Sequence, residues 1–562
     1  MNGEFMLSTF TPQRRLDLPS KNILKKRYFH DGETKWKQVS KRIVDFISDG
    51  DKETYDMIYN RYFLPNSPTI VNSGRNNMGL SACFVVDMPD TILGIYKTKL
   101  DFALIAKKGG GCGTTLSKVR PENDIVNGST HGHAGGPIRF YDTICHDMKV
   151  LTQGGFREMA MMGTMTVYHP DIIKFINAKT IEGVMHTTNI SVVVDDSFMR
   201  KVINNENYWT EFNDQKYYEY NAREIFDMIV DGAWKNGEPG LLFQERINSG
   251  PYKYTNQEIF ATNPCGEQPL PANGVCNLGS LDLSKFLDQD KEFNWELFEK
   301  SIRLSVRFLD DLIDRNTYPT DDITEWAKNN RPIGLGIMGY ADYLLEKKMA
   351  YGSVESLNEL SDILEFMEKI GYNESENIGK IKGFPVECRK LPTPRRNITV
   401  LSIAPTGSIS LLAGCNSSIE PVFSETIHRK DKTGEYEFFN SHYQESYFRC
   451  AVTNGNCKEV TWKEHIDTQN TAQKYIDSGV SKTINMPNNS TKDDVRDAYL
   501  YAWNSEYIKG ITIYRNGSRQ LEVLSPITNK STEKCPLCSS NLIDESGCKH
   551  CSKCEFSKCE IG

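Results

Sequence analysis

The chain has 562 residues, 39% hydrophobic and 25% charged, and 66 Lys+Arg against 74 Asp+Glu give a formal net charge of −8. This is ample core material for a soluble globular protein of three to four domain equivalents at roughly 150 residues each, and it excludes disordered and fibrous classes for the bulk of the chain. The charge balance gives no support to a broad nucleic-acid face, no stretch of about 20 apolar residues is available to span a membrane, and the N-terminal MNGEFMLSTFTPQRR lacks the apolar core of a secretory signal.

In chain order, residues 1–60 are polar and charged, with helical spacing over Trp36–Ile47. From 61 to 520 the character is mixed. The short apolar runs Ile190–Val194 and Ile398–Ile403 predict buried strands, and Phe293–Ile313 and Leu357–Ile370 predict amphipathic helices. This alternation predicts α/β architecture, and no short-period repeat points to a solenoid or propeller. Residues 521–534, polar and containing Pro526, read as a linker, and 535–562 form a Cys-rich tail. Of 15 cysteines, six (Cys535, Cys538, Cys548, Cys551, Cys554 and Cys559) lie in that tail. Without a signal peptide the expected compartment is a reducing cytoplasm, where clustered thiols point to metal or redox chemistry rather than structural disulfides.

Cys83, in Leu80–Val85, and Cys276, in Gly274–Ser280, each read equally as small core residues. Lys107–Gly113 has four glycines in its last five positions, which permits close backbone approach and anion binding through N–H groups, but it matches neither a Walker A nor a dinucleotide fingerprint. Thr262-Asn263-Pro264-Cys265-Gly266-Glu267-Gln268 places an amide, a thiol and a carboxylate at alternate positions. If the segment is extended, the three share a face and suit proton or hydrogen-atom chemistry; the alternative is a buried Cys in a Pro/Gly turn. Ala404–Ser410, after an apolar run, is a hydroxyl-rich turn suited to a diphosphate or, equally, to a plain helix N-cap. In the tail, Cys535, Cys538, Cys548 and Cys551 have Cys-x2-Cys-x9-Cys-x2-Cys zinc spacing. Cys551 and Cys554 are also a Cys-x2-Cys, so the second ligand pair stays open. The surplus thiols suit a mobile dithiol, and a docking or nucleic-acid zinc ribbon is the alternative.

Together these pieces resemble a ribonucleotide reductase catalytic subunit. The resemblance runs from about Phe63 to the C-terminus through Leu64-Pro65-Asn66-Ser67-Pro68-Thr69, Ser81–Phe84, the Gly-rich loop, Asn263-x-Cys265-x-Glu267, Cys276, Ala404–Ser408 and the Cys tail. The chain looks most like class II, the adenosylcobalamin-dependent enzymes. Asn263–Glu267, the segment Ile511–Arg519 and the Cys-rich tail carry that likeness; class I enzymes have a Tyr-Tyr pair where Ile513-Tyr514 stands here. No Asp-x-His-x-x-Gly occurs, so cobalamin would not exchange its base for a His of that motif. The alternative is a class I-type subunit that needs a separate metal-containing radical-generating subunit. A rival of another kind is a nucleotide-binding regulatory protein or zinc-ribbon adaptor without chemistry.

The resemblance implies a ten-stranded α/β barrel of two antiparallel five-stranded halves with a central finger loop. Cys265 would become the thiyl radical, Glu267 the base at the 3′-hydroxyl, Asn263 a substrate hydrogen-bonding group, and Cys83 with Cys276 the two-electron donor. Cys554 and Cys559 would re-reduce that pair and pass the oxidation to thioredoxin or a similar partner, and the other four tail cysteines would hold zinc. Ser67, Gly111, Pro405, Thr406, Gly407 and Ser408 would hold the ribonucleotide substrate, diphosphate or triphosphate. Asp90 and Arg120 would contact a deoxynucleoside triphosphate effector, with a homodimer implied because the family's effector site often lies at a dimer interface. The stretch Gln153–Ala160 departs from the family's basic, Gly-rich specificity loop, and residues 1–60 are too few for a full ATP-cone.

Overall fold

A computed structural model describes residues 9–11, 16–126, 131–153, 157–180, 185, 188–431, 434–453, 455, 457–518, 524–526, 542–545, 548–551 and 557–559. Its centre is one mixed sheet of ten strands: β1 (Phe63–Pro65), β2 (Cys83–Val85), β3 (Gly111–Thr115), β4 (Met161–Thr166), β5 (Thr188–Val194), β6 (Gly240–Phe243), β7 (Gly274–Asp282), β8 (Ile333–Met338), β9 (Thr483–Met486) and β10 (Gly510–Arg515). Strands β2 to β6 are neighbours in sequence order and parallel. Strand β10 is antiparallel to β6 and parallel to β9. At the other end β7 is antiparallel to β2 and β1 and parallel to β8.

The expected strand at Ile398–Ile403 is only partly realised. It makes isolated parallel bridges, Leu401 to Leu335 of β8 and Ile403 to Val480, just before β9. A ladder fails to extend because the Asp477 carboxylate accepts from the backbone N–H of Val400 (2.9 Å) and Leu401 (3.0 Å), so a side chain replaces strand partners there.

The helices form where periodicity predicts. Trp36–Ile47 matches its expected span, and the two longer stretches become α-helices Trp295–Arg315 and Val354–Lys382. Caps set the ends: Asn294 accepts from Leu297 N (2.9 Å) and Ser353 accepts from Ser356 N (3.2 Å). One core packs these two helices, β8 and the N-terminal helices Trp36–Ile47 and Lys52–Tyr59 together; a second packs the helices outside β3 to β6. A third, smaller cluster contains Cys83, Cys276, Tyr252 and Leu278 and lies beneath the site described below.

Within the stretch expected as a linker, Leu524–Pro526 pairs antiparallel with Ile427–Arg429. The tail contributes three short antiparallel strands, Leu542–Glu545, Cys548–Cys551 and Ser557–Cys559. Among the described residues no helix is long and apolar enough to cross a membrane.

A buried polar node ties the long helix of the first core to the sheet's β8 end. Arg331, just before β8, donates to Asp310 of the Trp295–Arg315 helix (2.9 Å) and to Asp314, and Asn397 donates to Asp310 (3.1 Å) and to the Arg331 carbonyl (3.0 Å). Asp310 is fully buried and Asp314 is half exposed. Arg331→Met, which removes the nearest cation from the buried Asp310 and leaves only Lys382 and Arg396 at 3.5 Å, is expected to lower the unfolding free energy by about 3 kcal/mol. Asp314→Asn is expected to cost under about 1 kcal/mol. Denaturant midpoints of the two variants measure the contrast.

Candidate active site

The segment Ala261–Leu270 is a hairpin in which Thr262 pairs with Pro269. Asn263 closes it: its N–H donates to the Gln268 carbonyl (3.1 Å), its Oδ1 accepts from Gln268 N (2.9 Å), and its carbonyl accepts from Gly266 N (3.1 Å). Gly266 takes φ 81°, which a Cβ would oppose. The loop is therefore a tight turn and not the extended segment that alternate spacing suggested. Cys265 sits exposed at its tip, while Asn263 and Glu267 turn inward and are buried.

The turn lies flat on the sheet because β3 has no side chains in its path. A Cβ on Gly113 would sit 1.8 Å from the Thr262 carbonyl oxygen, and one on Gly111 would sit 3.0 Å from Pro264 Cγ. The backbone N–H groups of Gly110, Gly111 and Cys112 are engaged within the protein. Gly110 N–H bonds Ile105 (3.2 Å), Gly111 N–H bonds Ala82 (2.8 Å) and Cys112 N–H bonds Ala160 (3.2 Å), so these donors are consumed by helix end and sheet. Three residues with no motif of their own pin the turn from other directions. Asn189 Nδ2 donates to the Pro264 carbonyl (2.8 Å), and Ser402 Oγ (2.9 Å) and Gly479 N (2.8 Å) donate to the Glu267 carbonyl.

Beneath the turn, Cys83 and Cys276 are direct register partners across antiparallel β2 and β7. Opposed residues have Cα atoms about 4.5–5.5 Å apart, a span that a disulfide bridges. Asn263 Nδ2 donates to Cys83 Sγ (3.1 Å), and Cys83 Sγ approaches Glu267 Oε1 at 3.6 Å. Glu267 Oε2 is buried with no hydrogen-bond partner, an acceptor held open in a dry place. Burial pushes the Cys83 thiol well up, with like charge on Glu267, Cys276 and Cys265 adding to it. Burial also raises Cys276, helped by Asp477 and Glu267, and raises the Glu267 carboxyl above the usual range.

Cys265 opens onto a cavity of 820 Å³ walled by Asn189 of β5, Leu242 of β6, Thr512 of β10, Pro405 and Lys482. Lys482 is buried, ion-paired with Glu420 and hydrogen-bonded to His465 Nδ1 (2.8 Å). An exposed thiol at a cavity floor, above a buried dithiol with a carboxyl and an amide between, is an arrangement for coupled hydrogen-atom, proton and two-electron transfer.

The family model described as "Ribonucleotide reductase, barrel domain" matches residues 81–388 and 392–514. The chain belongs to that family. It is 39% identical over 504 residues to the "Vitamin B12-dependent ribonucleoside-diphosphate reductase" of Thermoplasma acidophilum, covering 82% of this chain and 65% of that protein. A protein of the same name from Mycobacterium tuberculosis (strain CDC 1551 / Oshkosh) is 34% identical, covering 89% of this chain and 76% of its own. Among solved structures, the "Actinobacillus ureae class Id ribonucleotide reductase alpha subunit" superposes with TM-score 0.75 at 21% identity over 90% of this chain and 98% of that one, which bears on the fold alone.

The remaining family-type positions fall in three places. Ser67 Oγ pairs with Tyr28 OH (2.8 Å), and Ser408 Oγ accepts from Arg27 (3.0 Å), so the N-terminal helical segment Leu18–Tyr28 touches both candidate substrate segments. Ser408 is the N-cap residue of the short helix Ile409–Ala413, with no side-chain capping hydrogen bond. Thr406 is held at φ 53°, costly for a β-branched residue, with its Oγ1 accepting from Ser418 N (2.8 Å). Pro405 and Gly407 flank it, both exposed. Asp90 and Arg120 come together as a two-pronged ion pair (3.1 and 2.9 Å) on the surface beside the helix Ile92–Lys108. In Gln153–Ala160, Thr152–Gln153 and Arg157–Glu158 pair as a short hairpin, and 154–156 lie outside the described residues. So do Cys535, Cys538 and Cys554; of the other tail cysteines, Cys548 is the backbone register partner of Cys559, and Cys551 pairs with Leu542.

Alkylation tests the exposure and proton state of these thiols. Raised pKa values keep Cys83 and Cys276 protonated above their ordinary 9.0. At pH 8, iodoacetamide is expected to modify Cys265 at least about tenfold faster than either buried thiol, because the thiolate is the reactive form. Peptide mapping over time measures the three rates.

Proposed function

We propose that this chain reduces ribonucleotides to 2′-deoxyribonucleotides by thiyl-radical chemistry. The observation that carries the reading is Cys265 at the cavity floor above the cross-strand pair Cys83–Cys276, with Asn263 and Glu267 between. In this reading Cys265 sulfur takes the 3′-hydrogen atom of the ribose, and Glu267 takes the 3′-hydroxyl proton on its open Oε2. Asn263 orients the substrate. The 2′-hydroxyl leaves as water with a proton from the thiol pair. Cys83 and Cys276 supply two electrons and close to a disulfide, and Cys265 then returns the hydrogen atom to C3′. High thiol pKa values suit this, since donors of hydrogen must stay protonated.

Radical generation falls to adenosylcobalamin, which supplies a carbon-centred radical when bound. The names of the Thermoplasma and Mycobacterium relatives support that cofactor and a diphosphate substrate. The cavity suits the adenosyl end of such a group: its 820 Å³ lies within the span of about 300–1,000 Å³ for small-molecule sites, less than the whole corrinoid needs, and Ser191, Leu242, Thr512 and Tyr514 give a mixed polar and apolar wall that would hold that end. Ser67, Gly111 and Pro405–Ser408 would hold the nucleotide.

The sheet is read as closing into a barrel of two five-stranded parallel halves. The bridges from β8 to Leu401 and from Ile403 to Val480 support closure. Residues 1–60 would be a helical appendage, 61–520 the barrel and 521–534 a linker to the tail, with zinc on Cys535, Cys538, Cys548 and Cys551. Cys554 and Cys559 would pass electrons from thioredoxin or a similar reductant in the cytoplasm. Asp90 and Arg120 would bind a deoxynucleoside triphosphate, in a homodimer.

With a ribonucleoside diphosphate, adenosylcobalamin and dithiothreitol, and no second protein, deoxynucleotide should form. Cys265→Ala should abolish it while nucleotide affinity stays within about twofold, an effect confined to the reacting group. Product that requires a second, metal-containing subunit would replace this reading with the class I-type one. Because burial raises Glu267 above its ordinary 4.5, the base form appears only as pH rises through that higher value. Turnover should therefore climb on a limb displaced above pH 4.5, and Glu267→Gln should flatten it.

A further inference from the structure

Cys450 and Cys457 play no part in the reaction above, yet they form the tightest thiol pair among the described residues. Cys450, fully buried, ends the short strand Arg449–Cys450, which runs parallel to Lys458–Glu459. Cys457, half-buried, immediately precedes that partner strand, and the two Sγ atoms are 2.8 Å apart. The Glu425 carboxylate lies within 4.8 Å of both sulfurs, so the three could be read as a metal site. The geometry argues against it. Two thiolates on one tetrahedral zinc, each about 2.3 Å from the metal, stand about 3.8 Å apart, well beyond the separation here. Glu425 is also engaged already: Oε1 accepts from Thr453 Oγ1 (2.9 Å) and Oε2 from Ser424 Oγ (3.0 Å).

We propose that Cys450 and Cys457 are a second dithiol–disulfide couple, separate from Cys83–Cys276, set behind the wall of the cavity. Val422 pairs with Cys450, Ala451 N donates to the Val422 carbonyl (2.8 Å), and Val452 N donates to the Phe423 carbonyl (2.8 Å). Val422, Phe423 and Ala451 line the cavity onto which Cys265 opens. Closing the couple ties the strand behind this wall to its neighbour by a covalent bond.

The oxidant is a small-molecule disulfide. Cys457, the more accessible sulfur, attacks it as thiolate, forms a mixed disulfide and releases one small thiol. Cys450 then attacks the Cys457 sulfur, forms the intramolecular S–S bond and releases the second small thiol. Two electrons pass from the protein thiols to the small disulfide, and the two protons end on the released thiols.

The full-length chain, incubated with oxidised glutathione, alkylated and mapped by mass spectrometry, tests this. The expected result is a Cys450–Cys457 crosslink with loss of both alkylatable thiols. In Cys450→Ser, Cys457 should accumulate as the glutathione mixed disulfide, because the resolving thiol is gone. In Cys457→Ser, Cys450 should remain unmodified. Full alkylation of both wild-type thiols at an oxidant level that closes Cys83–Cys276 would overturn the proposal. So would a stoichiometric zinc ion that protects both thiols and is lost in Cys457→Ser. The wild-type map decides even if a variant fails to fold.

Discussion

The contact on which the site depends is the approach of the Thr262 carbonyl to β3, where a Cβ on Gly113 would fall 1.8 Å from the oxygen. Only glycine leaves that space, so the loop can cross the strand at backbone distance instead of riding on a layer of side chains. Once it is seated, the rest of the geometry follows. Asn189, Ser402 and Gly479 hold its carbonyls, the Asn263–Gln268 bonds close the turn, and the tip has one direction left for Cys265. A larger residue at 113 would lift Asn263 and Glu267 away from Cys83 together, because one turn carries Asn263, Cys265 and Glu267.

Antiparallel pairing of β2 with β7 makes the second constraint. Parallel β2 to β6 could present several thiols at one end of the sheet, but a directly opposed pair comes here from the junction where strand direction reverses. The same burial that brings Cys83 and Cys276 together raises both thiols and Glu267. Water is excluded, charge is disfavoured, and protons stay on sulfur until a reaction removes them. Outside this pocket Cys265 faces the cavity, whose wall sets Asn189, Thr512 and the Lys482–Glu420 pair beside apolar Leu242 and Phe423.

Much of this was legible in the sequence, for reasons that differ by feature. The long helices announced themselves by period, since Trp295–Arg315 and Val354–Lys382 each bury one face. The residue set Cys83, Asn263, Cys265, Glu267 and Cys276 came from motif resemblance, and the structure brings it to one place. What local pattern could not supply was the shape of the turn. Alternate spacing suggested an extended strand, whereas Pro264 and Gly266 bend it. The glycines of β3 pointed to an anion cradle because a glycine run looks the same whether a ligand or another backbone approaches it. Asp477 was invisible for a related reason: its carboxylate breaks the strand at Val400 and Leu401 from some 77 residues away in sequence. Asn189, Ser402 and Arg27 had no motif, although Asn189 is the one exposed polar residue in an otherwise buried strand.

The N-terminal helices share a core with the sheet, and the helical segment Leu18–Tyr28 also touches the Pro405–Ser408 turn. The helix Ile409–Ala413 that follows this turn has too few residues to satisfy its own last carbonyls. Ser20 Oγ donates to the Leu411 carbonyl (2.7 Å), Arg61 to Leu412 (3.1 Å) and Lys285 to Ala413 (3.3 Å). Three donors from three parts of the chain thus fix the far end of the short helix. Arg27 and Tyr28 engage Ser408 and Ser67 at its near end. A left-handed Thr406 costs on the order of 1–3 kcal/mol and persists only where its surroundings over-determine it. Ser20, Arg27, Tyr28 and Arg61 are among those surroundings, so these N-terminal residues take part in shaping this corner of the cavity.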